Sequence, residues 1–274
     1  MKRTFIYLAI SIILLSSCDK KKAQEKDADL RLKRIETLIA DNSYNAAKIA
    51  IDSIHELYPR LVNKRRIAAA LEDTIERRES ARTLAYCQNI LPQKTREADS
   101  IQRNFRFEKN AKYQQYGDYI YKTQITESNL SRNYLKAYVN ENADLYLVSN
   151  YCGSNIEQSS LEVAVNDLYA HTDTLSTRSA GYHSFNDGGM HWETLTFKNE
   201  ADKGVCSFIA QNISARIKVT LYGKKTYIYY LADADKKAIA ETYKLWIAKK
   251  DVKQLNNEIK KAQYKIDRIN LQKI

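Results

Sequence analysis

The side chains that carry most acid–base and metal chemistry are few in this sequence, so each can be weighed in turn. Its four histidines are His55, His171, His183 and His191. The last three stand near Asp173, Asp187 and Glu193, residue types able to hold a metal ion or move a proton. Their intervals match no metal-ligand signature, and strand or loop histidines are commonly polar surface groups. No G-x-S-x-G elbow, phosphate-cradling glycine loop or H-E-x-x-H helix occurs. The 33 acidic residues offer no basis for choosing a catalytic pair. The expectation is a protein that is not an enzyme, with no catalytic residue, no bound cofactor and no metal site.

Recognition chemistry is better represented. Tyrosine is the outlier of the composition, at 20 residues. Tyr119, Tyr121 and Trp192 head a set that includes Tyr113, Tyr116, Tyr146, Tyr151, Tyr227, Tyr229 and Tyr230. Aromatic faces of this kind stack on sugars and fill partner pockets. The plainer account is β-propensity, with alternating tyrosines covering a sheet. A second recognition surface is an apolar seam near the C-terminus, with Leu245, Val252, Ile259 and Ile266 at heptad position a and Ala248, Leu255, Ala262 and Ile269 at d. Such a stripe is first a packing surface, expected to lie against the N-terminal helices, and second a site for another chain. Lys253, Lys260, Lys261 and Arg268 occupy its outer positions.

The beginning of the chain supplies an address. Lys2 and Arg3 precede an apolar run from Phe5 to Leu15, interrupted at Ser11 alone, then Ser16, Ser17 and Cys18. The run is too short to span a bilayer as a mature helix. Leu15-Ser16-Ser17-Cys18 resembles the bacterial lipobox, which implies cleavage before Cys18, acylation (palmitate among the chains) of that cysteine, and durable anchorage to a membrane. The resemblance covers the leader alone. It implies a lipoprotein of the cell envelope, the outer membrane favoured, facing the periplasm or the surface. Asp19 resembles an inner-membrane retention signal read in enteric bacteria, so the choice of membrane stays open.

Cleavage leaves 257 residues and lowers the formal charge from +11 to +9. In an exported protein that balance points away from nucleic acid and toward anionic glycans or lipid headgroups. Three cysteines then remain, Cys87, Cys152 and Cys206, and an odd number cannot all pair. If a bridge forms, the expectation is Cys152 with Cys206, since both fall in strand-like sequence.

The elements that must position these groups follow from periodicity. Only 2 Pro and 7 Gly in 274 residues predict mostly regular structure. Residues 18–29 are charged and lack large apolar side chains, which predicts a solvated linker between lipid and body. Residues 30–105 predict a helical module. Its first helix carries Leu32, Ile35, Leu38 and Ile39, its second Ala47, Ala50, Ile51, Ile54 and Leu57. Tyr44, Ala47, Ile51, Ile54 and Pro59 resemble the second half of a tetratricopeptide repeat, which implies one helix pair; no second copy follows, so no solenoid is implied. A third helix is predicted from about 61 to 90, ending by Pro92, and a short one from 94 to 105.

Residues 106–232 alternate in short runs and predict an antiparallel β domain, a sandwich or partial barrel. The expected strands are 119–125, 134–139, 144–151, 161–165, 191–197, 205–210, 216–221 and 226–231. Residues 233–274 predict one long coiled-coil-like helix. The fold class is α+β. The function expected first is a membrane-anchored scaffold or protein-interaction module, with a glycan- or ligand-binding lipoprotein as the alternative.

Overall fold

A computed structural model describes residues 2–125, 129 and 132–271, with residues 2–20 described by their backbone alone. Cys18 and the leader therefore lie outside the described side chains. Five helices and two antiparallel sheets give an α+β fold with a long C-terminal helix. Contacts divide the chain into two units, residues 1–88 with 258–274, and residues 89–257.

The helical unit contains α1 (Lys2–Ala40), α2 (Tyr44–Leu57), the first part of α3 (Val62–Gln102) and the last part of α5 (Asp233–Leu271). Its core is Leu32, Ile35, Ile39, Tyr44, Ala47, Ile51, Ile54 and Ile75, the helical stripes expected from spacing. The charged stretch predicted as a solvated linker is instead helical, being part of α1. Its Lys, Ala, Gln and Glu are strong helix formers, and Ala28 is fully buried. Asp27 accepts a short hydrogen bond from the Tyr58 hydroxyl, and Asp29 pairs with Lys64 at 2.5 Å. No helix among the described residues is long and apolar enough to cross a membrane.

The sheet unit holds β1 (Phe105–Glu108), β2 (Asp118–Tyr121), β3 (Tyr134–Asn140), β4 (Leu145–Gly153), β5 (Ser160–Val165), β6 (Leu168–His171), β7 (Tyr182–Asp187), β8 (Met190–Lys198), α4 (Val205–Gln211), β9 (Lys218–Tyr222) and β10 (Tyr227–Tyr230). One sheet runs β1-β2-β3-β4-β8-β7 and the other β10-β9-β5-β6. Leu135, Leu147, Leu195 and Phe197 from the first and Leu161, Val163, Val219 and Leu221 from the second share one core with Val205, Ile209 and Ile239.

Four further expectations are corrected. Residues 205–210 form a helix, not a strand. Asp202 accepts from the backbone N–H of Gly204 and Cys206 at 3.1 and 3.0 Å and so caps its start. The helix predicted to end by Pro92 continues through it to Gln102, absorbing the separate helix expected at 94–105. The Pro92 ring opposes the carbonyl four residues back, that of Gln88, and the boundary between the units falls there. The strand predicted to run to Ile125 ends at Tyr121, followed by a 3-10 turn over Lys122–Gln124. Cys87, Cys152 and Cys206 are all free, because Cys206 sits on α4, buried in the core, while Cys152 lies on β4.

Three buried polar devices shape the sheet unit. Gln124 stands where β2 has ended, and its amide substitutes for a strand residue, donating to Leu135 O at 2.8 Å and accepting from Ala137 N at 3.2 Å. Asp235, in the first turn of α5, is 2% exposed and accepts two hydrogen bonds from the Arg132 guanidinium, the second at 2.6 Å. Glu193 on β8 is 1% exposed and points to the core side. Its carboxylate accepts from the backbone N–H of Ile156, Glu157 and Gln158 at 2.7, 3.0 and 2.7 Å. Those amides belong to the segment by which the chain leaves one sheet for the other. Gly223 completes that passage, since a Cβ there would meet the Ile156 carbonyl at 2.3 Å.

Candidate binding face

Side chains alternate along a strand, and residues directly opposite in register share a face. Leu135, Ala137 and Val139 on β3, Leu145 and Leu147 on β4, and Leu195 and Phe197 on β8 turn into the core. The opposite face of the six-stranded sheet is set by the intervening residues. Tyr138 lies opposite Tyr146, and Tyr146 opposite Lys198. In the following rows Lys136, Val148 and Thr196 stand together, then Tyr134, Asn150, Thr194 and His183, then Cys152, Trp192 and Phe185.

This outer face is neither dry nor fully open. Tyr134, Lys136 and Val148 are buried, while Tyr138, Tyr146, Asn150, Trp192, Thr194 and Thr196 are half-buried. The Tyr138 and Tyr146 rings stack at 4.6 Å with only 5° between their planes. The Lys198 ammonium lies 5.5 Å from the Tyr146 ring and 3.2 Å from Asp144. Phe185 and Trp192 form a second parallel pair, 6.2 Å apart and 7° from coplanar. Between the two pairs, the amide nitrogen of Asn150 is buried without a hydrogen-bond partner among the described residues. A buried donor left unpaired costs about 1–3 kcal/mol. Burial pushes the Tyr138 phenol well above its ordinary range, and the Tyr134 phenol and Asp118 carboxyl upward as well. Neutral aromatic surface, amide and hydroxyl groups thus share one sheet face.

The aromatic residues singled out from sequence do not form one patch. Trp192 is on the outer face. Tyr119 and Tyr121 face the other way, aligned with Val139 through Tyr119. They pack on Phe107 and Phe105 at 5.0 and 5.3 Å, and the Lys249 ammonium covers the Tyr119 ring at 4.1 Å. Tyr151 is buried in the core, and Tyr229, half-buried, packs against it. Tyr138, Lys198 and Asn150 were not singled out. The alternation along β3, β4 and β8 carried them, but only the pairing register places Tyr138 on Tyr146.

The C-terminal seam is covered within the chain. Leu245, Ala248, Ala262 and Ile269 are buried, and Val252, Leu255, Ile259 and Ile266 half-buried. In the sheet unit Asp251 of α5 pairs with Lys94 of α3 at 3.0 Å. In the helical unit Lys265 and Arg268 of α5 hold Glu76 of α3 at 3.2 and 2.5 Å. Of the outer basic positions, Arg268 is thus paired, Lys261 pairs with Glu258, and Lys253 donates to the Asn142 carbonyl.

The histidines are dispersed. His55 accepts from Arg65 on the helical unit. His171 lies on the four-stranded sheet between Thr172 O and Ser160 Oγ. His183 and His191 lie on the other sheet. His191 Nδ1 is 2.7 Å from Asn186 Oδ1, and its Nε2 is 3.4 Å from Glu193 Oε1. Among the described residues no three of His, Cys, Asp and Glu gather as metal ligands. Comparison with models of protein families, with curated proteins and with solved structures finds no match.

Proposed function

We propose that this chain is a non-enzymatic lipoprotein of the cell envelope, held to a membrane through Cys18, that binds a glycan on the outer face of its six-stranded sheet. The observation that carries the reading is the pair of parallel aromatic stacks, Tyr138 with Tyr146 and Phe185 with Trp192, flanking the Asn150 amide nitrogen, which has no hydrogen-bond partner among the described residues. Flat rings accept the apolar faces of sugars, while an unpaired amide and neighbouring threonines exchange hydrogen bonds with their hydroxyls. The charge of +9 that remains after cleavage favours anionic glycans. Scaffolding through the seam has less support, because that apolar stripe is already used inside the chain.

The test is glycan-array binding and pull-down with isolated peptidoglycan and envelope polysaccharide. Tyr146→Ala and Asn150→Ala should each weaken retention, the former by about tenfold as expected for a stacked anchor. Retention that is blank throughout, or unchanged in both variants, would remove the glycan reading. Cys18→Ala should release the protein from membranes, and continued membrane attachment would remove the tether.

A further inference from the structure

At the far end of the same face, two sulfur atoms meet. Cys152 Sγ on β4 lies 3.6 Å from Met190 Sδ on β8. Cys152 is directly opposite Trp192 in the ladder, and Met190 precedes Trp192 by two residues, so thiol, thioether and indole share one side of the sheet. We propose that Cys152 and Met190 are the ligands of a soft monovalent metal ion, copper(I), with Trp192 as its aromatic neighbour. The inference does not rest on glycan binding.

Thiolate and thioether donors select copper(I) over harder ions. Zinc requires four nitrogen, sulfur or oxygen ligands, and no such group gathers among the described residues. Two sulfurs suffice for a low-coordinate soft ion. With metal–sulfur bonds of about 2.3 Å, as thiolates make to zinc, a linear arrangement separates the sulfurs by at most about 4.6 Å. The present pair must therefore open by up to about 1 Å. Met190 can supply that movement. It is 48% exposed, unbranched, and follows Gly188 and Gly189, whose positive φ of 57° and 80° makes the tight hairpin turn from β7. Cross-strand neighbours have Cβ atoms about 4.5–5.5 Å apart, which places the Trp192 ring within reach of an ion held by Cys152. An indole face attracts a cation more strongly than other aromatic rings.

Charge and access agree with this assignment. A thiol's ordinary pKa of about 8.5 leaves the free site protonated at neutral pH, so the metal must displace that proton. The reaction is Cys152–SH plus M⁺ giving Cys152–S–M with the Met190 thioether donating a lone pair, and one H⁺ released. Thiolate and ion then cancel in charge. Asp187 lies opposite Met190 at the hairpin end. Cys87 and Cys206 are 4% and 0% exposed and cannot present sulfur to solvent in the same way.

The experiment is anaerobic titration of the full-length protein in detergent with copper(I), against a chromophoric copper(I) chelator of known affinity. One equivalent should transfer to the protein, with one proton released in weak buffer and a change in tryptophan fluorescence. Cys152→Ser and Met190→Leu should each weaken binding by roughly tenfold or more, while the double variant Cys87→Ser/Cys206→Ser keeps the wild-type stoichiometry. Trp192→Phe should retain the ion and lose most of the fluorescence change. Met190 is exposed, so its variant tests the ligand without risk to the fold. Wild-type affinity in either Cys152→Ser or Met190→Leu, or an equivalent that disappears only with Cys87 and Cys206, would overturn the proposal.

Discussion

In the helical unit, charge stays where water can reach it. Glu76 meets Lys265 and Arg268 with 27% of its side chain exposed, and Lys48 meets Glu79 at 2.8 Å with 44% and 37% exposed. The core beneath is Ile, Leu, Ala and Tyr. In the sheet unit, Asp235 and Glu193 are almost wholly buried, and each is matched to donors from distant parts of the chain. The difference follows from backbone chemistry. A helix satisfies its own N–H and C=O groups, so its side chains need only sort by polarity. A sheet with an early-ending strand and a chain crossing between sheets leaves backbone groups that must find side chains. Gln124 and Glu193 answer that need. Polar burial in the sheet unit is therefore structural, and polar contact in the helical unit is largely incidental to stability.

The comparison is tested first at Asp235. Asp235→Ala removes the carboxylate from the Arg132 guanidinium, leaving it Asn129 Oδ1 alone, and takes the second, longer acceptor from the Gln124 amide, which keeps Leu135 O. The expected loss is about 3 kcal/mol, the low end for a broken buried pair because 36% of the Arg132 side chain remains exposed. Replacing both partners by apolar residues, Arg132→Met with Asp235→Leu, should recover most of it. Urea unfolding, with hydrogen exchange read separately in the two units, gives the answer. A loss under about 1 kcal/mol would place this pair with the surface pairs of the helical unit.

Next comes Glu193→Gln, which keeps the shape but replaces one oxygen by an amide nitrogen that faces backbone N–H groups. The expected cost is about 2 kcal/mol, and amide exchange at Ile156, Glu157 and Gln158 should rise more than exchange in β3. Unchanged protection at those three amides would show that the crossing segment is held by something other than Glu193.

These two sites also mark where the sequence stopped being legible. The apolar stripes of α1 and α2, the strands β3, β4, β5 and β8, and the long α5 follow from period alone. What failed depended on partners distant in the chain or on propensity overruled. Residues 20–29 have helical propensity but little apolar content, so their burial of Ala28 was invisible. Val205, Cys206, Phe208 and Ile209 suit a strand as well as a helix, and the deciding cap by Asp202 lies just outside the run. The candidate face was half legible. The alternating Tyr, Lys and Asn of β3 and β4 could be read, but the register that stacks Tyr138 on Tyr146 is a long-range fact. The Cys152 and Met190 contact, 38 residues apart in sequence, has the same origin.

On the helical side, Glu76→Gln removes the carboxylate shared by Lys265 and Arg268. Because those two cations keep 51% and 46% of their side-chain exposure, the loss should stay below about 1 kcal/mol and shrink further in high salt. A salt-independent loss as large as that at Asp235 would erase the contrast between the units.

The smallest effect is a pH dependence at Asp27. The Tyr58 hydroxyl, followed by Arg31, donates to this carboxylate and holds it below the usual carboxylate range. The Tyr58 phenol moves upward, by burial first and then by the same hydrogen bond. A carboxyl whose folded value is depressed contributes stability that is fully present above its unfolded value, about 3.9. That contribution fades as pH falls through the folded value. Asp27 is 53% exposed, so water screens most of the interaction and the effect is small. The difference in exchange protection of α1 and α2 between wild type and Asp27→Asn should be constant from pH 7 to about 5 and close progressively below about 4. A difference that stays constant to pH 2 would show that these contacts do not favour the ionised carboxylate, and one that widens in acid would show that Asp27 is held by its neighbours as a neutral group. In that case the helical unit, too, would draw stability from a polar group set apart from water.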